Sequence, residues 1–328
     1  MSAEYIASLY NARIQFARYV SIPTWFICLL SELFSIIVFL SLKTFRQSSC
    51  AFYLLIMSVF NLIRLVFSTS VVVISIAFSI NWTSVLIYYC QIRNLIVATC
   101  VISAITMLCL AIIDQYFATC TRQRWQKWSD IKLAYRLTII VSIFWTSHGV
   151  LYMIYFRQIS PINTAVCIPI NPIFLQYHVY GYFLTLSNLF PLIAVIFGIM
   201  SYRNARTLTT RTHPLIRHEL DKQLTVMVLV EIFVYVCTYL PYSITSGFLQ
   251  LNTNRNPVVL AQLNLINAIT LTINILTNGS SFYTYICVSR RFRRQAKYVL
   301  YDIYINRFRQ NRIGPEQITA HFVTDNAH

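Results

Sequence analysis

The sequence predicts an all-α membrane protein: a bundle of seven transmembrane helices, followed by a short amphipathic helix on the membrane surface. Of its 328 residues, 57% are hydrophobic and only 11% are charged, whereas a soluble domain carries about 25% charged residues. The apolar residues gather in seven long runs, and most basic residues lie between them. These three observations indicate one membrane-embedded body rather than soluble domains.

Each apolar run is long enough for a helix to cross a bilayer, which takes about 20 residues. The runs are continuously apolar, whereas the strands of a membrane barrel alternate and are about half as long. The first run could instead be a secretory signal, but it follows 22 residues that include Arg13 and Arg18, and it lacks a cleavage site. We therefore predict helices one to seven at residues 23–42, 51–80, 92–113, 137–156, 182–202, 224–249 and 258–288.

The basic residues predict the orientation. Of 26 Lys and Arg residues, 20 follow helices one, three, five and seven, and such residues in short loops stay on the cytoplasmic side. We expect a multi-pass protein of the plasma membrane with its amino terminus outside and its carboxyl terminus inside. The net charge of +16 then reflects topology and contact with anionic membrane lipids. Because the charge is divided among four segments, a nucleic-acid partner is not expected.

The segment after helix seven combines cations with apolar residues. Phe292, Ala296, Val299 and Ile303 recur at helical spacing, which favours an amphipathic helix along the inner leaflet over a frayed polar tail. The last residues are polar and predicted to be disordered. The predicted organisation is an extracellular amino terminus (1–22), a seven-helix domain (23–288), an amphipathic cytoplasmic helix (289–310) and a disordered cytoplasmic tail (311–328).

Two features are predicted on the extracellular side. Cys90 stands at the outer start of helix three and Cys167 in the loop between helices four and five. Since this side is oxidising, we predict a disulfide between them, the alternative being two free thiols. The sequon that begins at Asn81 lies in the first outer loop, so this asparagine is a possible glycosylation site.

Several motifs occur in the order found in one receptor family. Cys90 precedes Asp114-Gln115-Tyr116 by 24 positions, Trp82 lies in the first outer loop and Trp145 in helix four, and Pro191 and Pro241 interrupt helices five and six. Helix seven ends Ser281-Phe282-Tyr283-Thr284-Tyr285, and Phe292 follows seven positions later.

Together these motifs resemble rhodopsin-like G-protein-coupled receptors over residues 20 to 300. Phe282 in place of proline resembles the FMRFamide-receptor-like group of invertebrate neuropeptide receptors. The resemblance implies a receptor that transmits the binding of an extracellular ligand, a neuropeptide above all, to a cytoplasmic heterotrimeric G protein. It also implies a coupling and switching role for Asp114, Gln115, Tyr116, Asp221, Tyr239, Pro241, Ser281 and Tyr285.

The sequence departs from the family at functional positions. In the family, an arginine at the position of Gln115 contacts the G protein and pairs with an acidic residue at the base of helix six. Asp221 stands at that acidic position here. Glutamine is neutral and offers it only hydrogen bonds. Asn61 replaces the aspartate of the family's sodium site. Glu32 in helix one could restore that charge. Alternatively it is protonated or hydrogen-bonded without binding an ion, and the same alternatives apply to Glu231 in helix six. Tyr239 and Ser281 replace the family's tryptophan and asparagine.

The expected ligand follows from the outer half of the bundle. Val97 stands where aminergic receptors carry aspartate, so a biogenic amine is not expected. Arg64 and Arg93 could bind a carboxylate; alternatively, Arg93 extends to the membrane interface and Arg64 pairs with a polar group such as Asn274. A peptide is the favoured ligand and a small odorant the second. The candidate ligand residues are Arg64, Arg93, Val97, Tyr180, Tyr242 and Asn267.

Other classes of seven-helix or membrane protein fit less well. A retinal pump needs a lysine in helix seven, which this sequence lacks. A secondary transporter usually shows repeated halves, and an intramembrane enzyme needs a nucleophile or metal motif; we find neither. No enzymatic activity and no cofactor is therefore expected. A non-signalling membrane scaffold remains an alternative because of Gln115.

Overall fold

The computed structural model describes residues 2–41, 48–80, 88–120, 122–159, 166–208, 215–251, 256–299 and 301; at residues 2, 123, 159, 166, 205–208, 215–223, 290 and 291 only the backbone is described. Seven helices are long and apolar enough to span a membrane, which confirms the predicted fold class of a multi-pass helical membrane protein. They are Ala3–Ser41, Ser49–Phe78, Tyr89–Thr119, Ile131–Tyr155, Pro172–Asn204, Leu224–Leu251 and Pro257–Val288, numbered one to seven.

Helices one and five begin earlier than the apolar pattern predicts. Helix one starts with Ser2–Phe16 and continues through a π-helical turn, Ala17–Ser21, into its apolar part. This extension packs beside helix two: the Arg18 Nε donates to the Ala77 carbonyl at 2.6 Å, and its guanidinium lies 5.6 Å from the centre of the Phe78 ring. Packing against neighbouring helices thus keeps a segment of low hydropathy helical.

Helix three is at the centre of the bundle. In its most apolar stretch 72% of the residues are buried, compared with 22% in helix four. Helix four turns an aliphatic face outward, with Ile139, Ile140 and Ile143 all more than half exposed, as expected for a surface against lipid. Its inward face is tied to helix three, because the Trp145 indole donates to the Thr106 hydroxyl at 3.1 Å.

Helix seven is packed closely against helix one. The Ser31 hydroxyl of helix one donates to the Gly279 carbonyl at 2.5 Å. A Cβ atom at residue 279 would collide with both the backbone and the side chain of Cys28. Glycine is therefore required here for the two helix backbones to approach each other.

The two ends of the bundle differ in what covers them. At the end that we call the outer end, following the predicted orientation, an antiparallel hairpin joins helices four and five: β1 is Phe156–Ile159 and β2 is Val166–Pro169. At the opposite, inner end, the helix Arg290–Lys297 follows helix seven, and the Ser289 hydroxyl caps its first turn. Phe292 of this helix packs on Phe39 and Tyr285.

Candidate functional site

A disulfide fixes the outer end of helix three. Cys90 is bonded to Cys167 with their Cα atoms 5.7 Å apart, which confirms the predicted pair. Cys167 lies in β2, so the bond holds the hairpin over the bundle. The Asn94 side-chain amide, one turn along helix three, donates to the Cys167 sulfur at 3.0 Å and to the Cys90 carbonyl at 2.8 Å.

The predicted ligand residues are only partly brought together. Arg93 is half-buried within electrostatic reach of Tyr89 and Tyr242, and its Nε has no hydrogen-bond partner among the described residues. The buried Oδ1 of Asn267 in helix seven is likewise without a partner there. Val97 packs against the core, whereas Tyr180 is 52% exposed.

Arg64 lies in a different place from Arg93. It lines a small cleft between helices two, three, six and seven; Arg93 does not line it. No hydrogen bond joins the side chains of Arg64 and Asn274, the predicted alternative, and the Arg64 Nε has no hydrogen-bond partner among the described residues. A π-helical turn, Leu65–Thr69, follows Arg64 directly, and such turns often occur at functional sites. We call this space the Arg64 cavity.

Two carboxylates lie buried at the same level of the bundle. Glu32, fully buried, accepts a hydrogen bond from the Asn61 side-chain amide of helix two at 3.1 Å. Glu231 of helix six is 2% exposed and lines the Arg64 cavity. One of its oxygens accepts from both the Ser280 and the Ser281 hydroxyls of helix seven, at 3.2 and 2.9 Å. In the described part of the chain, no group of three or more His, Cys, Asp or Glu could hold a metal ion.

At the inner end, neutral polar groups join helices three, five and six. The Thr225 hydroxyl of helix six donates to the Gln115 side-chain oxygen at 3.3 Å. Thr225 also lies 3.5 Å from the Ser201 hydroxyl of helix five, which lies 3.4 Å from the Thr119 hydroxyl of helix three. We call these four residues the Gln115 network. The side chain of Asp221, the predicted partner of Gln115, lies outside the described residues.

The other predicted switch residues belong to the core of the bundle. Asp114 is buried beside Gln115, and Tyr116 packs edge-on against Phe197 of helix five. Tyr239 is buried and stacked on Tyr235, two residues before Pro241 within helix six. Tyr285 is fully buried between Phe39 and Phe292. The predicted glycosylation site, Asn81, lies outside the described residues.

Sequence reasoning missed most of the partners in these sites. Thr225, Ser201 and Ser280 are single polar residues in apolar runs, and their spacing carries no signal. A buried acid such as Glu231 does require donors from a neighbouring helix, but the sequence does not say which. Comparison with models of known protein families finds no match to this sequence, and comparison with characterised proteins finds none either.

Proposed function

We propose that this protein is a receptor of the seven-helix, G-protein-coupled type, with its ligand at the outer end and a heterotrimeric G protein at the inner end. The unequal attachment of helix three supports the proposal most. A covalent bond fixes its outer end to a loop, whereas its inner end is joined to helices five and six by neutral hydrogen bonds. This arrangement suits a fixed ligand site coupled to an inner end that rearranges.

Helix six is the element that would move. Pro241 removes one backbone hydrogen bond within it, so the helix has a natural hinge. When its inner half swings outward, Thr225 must leave Gln115, and a crevice opens between helices three, five and six. The net contribution of a neutral hydrogen bond is only about 1 kcal/mol, so ligand binding can supply the difference.

A peptide with a carboxylate is the ligand class that the outer half favours. Arg93 offers a guanidinium whose Nε is unpartnered, and its fork matches the two oxygens of a carboxylate. Tyr89 and Tyr242 beside it and the free Oδ1 of Asn267 add polar contacts. The valine at position 97 offers no charge to an amine.

The test of this proposal is a second-messenger reporter screen of the expressed protein against neuropeptide libraries. We expect a peptide agonist whose potency falls at least tenfold, the effect of about 1.4 kcal/mol, in Arg93→Gln. Potency should be unchanged in Arg157→Gln, which alters an arginine of β1 at the same end. A response to small odorants alone would contradict the peptide assignment. Silence towards every ligand, in the wild type and in Gln115→Arg, would favour a non-signalling scaffold.

The proposal also requires a definite orientation in the plasma membrane. The helix Arg290–Lys297 exposes Arg294 and Lys297 and buries Phe292 and Ala296, which suits contact with anionic lipids of the inner leaflet. A tag at the amino terminus should bind antibody on intact cells, and a tag after His328 should bind only after permeabilisation. The reverse pattern would overturn the receptor proposal.

A further inference from the structure

Helix six carries a buried carboxyl group that the proposed signalling scheme has not used. Glu231 is 2% exposed, and among the described side chains of helix six it is the only carboxylate or cation. Its Oε1 accepts hydrogen bonds from Ser280 and Ser281 of helix seven. Its Oε2 is buried and has no hydrogen-bond partner among the described residues. We call Glu231, Ser280 and Ser281 the Glu231 cluster.

The Arg64 cavity lies beside the Glu231 cluster. Glu231 lines this cavity together with Arg64 and Tyr235, whose Nε and hydroxyl are also buried and unpartnered within the described chain. These polar groups thus share one small cleft between helices two, six and seven.

The attachments of helix six to its neighbours differ in kind along its length. At the inner end Thr225 bonds to Gln115, and nearer the outer end Thr238 bonds to Thr277 and Thr245 to Thr270. All of these join neutral groups. Glu231 differs from them because two hydroxyls of helix seven donate to the same buried carboxyl oxygen. One side chain of helix six thus makes two contacts with helix seven.

We propose that Glu231 is the principal restraint on helix six in the resting protein, holding its inner half to helix seven. This inference rests on the proposed function for its effect on signalling, although the movement itself can be measured without a G protein. Glu231 lies ten residues on the inner side of Pro241, about 15 Å along the helix at 1.5 Å per residue. An outward swing about the proline therefore breaks both serine contacts.

The experiment measures the position of helix six directly. Spin labels are placed at Lys132→Cys and Lys222→Cys, at the inner ends of helices four and six, after the free cysteines Cys120, Cys237 and Cys287 are replaced by serine. Pulsed electron resonance in lipid nanodiscs then gives the distribution of distances in the full-length protein. In Glu231→Leu, which removes both acceptor oxygens, we expect the ratio of outward to inward population to rise about fivefold, the effect of losing one hydrogen-bonded contact.

Three further variants make the result specific. Ser280→Ala with Ser281→Ala should shift the distances in the same direction, because it removes the donors and keeps the carboxylate. Thr245→Val removes a bond between helices six and seven on the outer side of Pro241, and it should leave the distances unchanged. Asn61→Leu removes the bond to Glu32 between helices one and two, and it should likewise have no effect.

The possible outcomes separate this inference from the proposed function. Unchanged distances in both Glu231→Leu and the double serine variant would overturn the restraint; if Glu231→Leu does not fold, the double serine variant decides alone. An equal shift in Thr245→Val would also overturn it, since any lost bond would then suffice. Shifted distances with no change in basal second-messenger signal would leave the restraint intact and count against G-protein coupling.

Discussion

The two ends of helix three are held in different ways. At the outer end a disulfide and two bonds from Asn94 hold the hairpin to the helix. At the inner end the Gln115 network consists of hydroxyls and one amide, at distances of 3.3 to 3.5 Å between helices. A covalent bond constrains the chain whatever the side chains do, whereas each hydrogen bond can be exchanged for another. The hydrogen bonds of the Gln115 network can therefore rearrange, whereas the disulfide cannot.

The largest effect should come from removing the outer constraint. Replacing Cys90 by serine opens a loop of 77 residues, and loss of a native disulfide typically costs about 2–5 kcal/mol. We expect a lower midpoint in thermal unfolding of the purified protein and less protein at the cell surface. Cys237→Ser, which alters an exposed free thiol, is the control and should behave as the wild type. Equal stability of the two variants would remove the contrast between the ends.

The inner end should respond more weakly. Gln115→Leu removes the acceptor that the Thr225 hydroxyl has on helix three, and we expect a loss of about 1 kcal/mol, the contribution of one neutral hydrogen bond. A double-mutant cycle with Thr225→Val, read by thermal unfolding, isolates the pair. We expect a coupling energy of about 1 kcal/mol. A coupling near zero would show that the two side chains do not interact in the membrane.

The smallest effect concerns basal signalling. Introducing a cation by Gln115→Arg allows a charged pair with Asp221, which a neutral side chain does not. We expect basal second-messenger signal to fall several-fold, as for a restraint strengthened by about 1 kcal/mol, and to return when Asp221→Ala is added. The three proteins are compared at matched surface expression. Identical basal signals in all of them would contradict this restraint and leave Glu231 as the more important contact.

The fold could be predicted from the sequence because the membrane imposes a simple rule. Each span must be a helix about 20 residues long and apolar, so hydropathy alone locates all seven. The ends of the helices were predicted less well, because packing decides them. The segment Ser2–Phe16 is helical beside helices two and seven, and no apolar run marks its start.

Those contacts that depend only on which side of the membrane a residue lies could be predicted from the sequence. Cys90 and Cys167 were the two cysteines expected on the oxidising side, so their pairing followed. The partner of Glu231 depends instead on how helices six and seven are rotated about their axes. A rotation of one residue, about 100°, would turn Ser281 away from the carboxylate. The sequence contains no measure of that angle, and the same holds for Gln115 and Thr225.

The length of helix one has a consequence for how large molecules approach the outer end. A helix of 39 residues is about 58 Å long, nearly twice the roughly 30 Å of hydrocarbon. Its first turns therefore extend beyond the hydrocarbon beside helix seven, where the Gln262 amide donates to the Tyr5 hydroxyl at 3.4 Å. A large molecule that approaches the outer end from the flank of helix seven therefore meets this extension of helix one first.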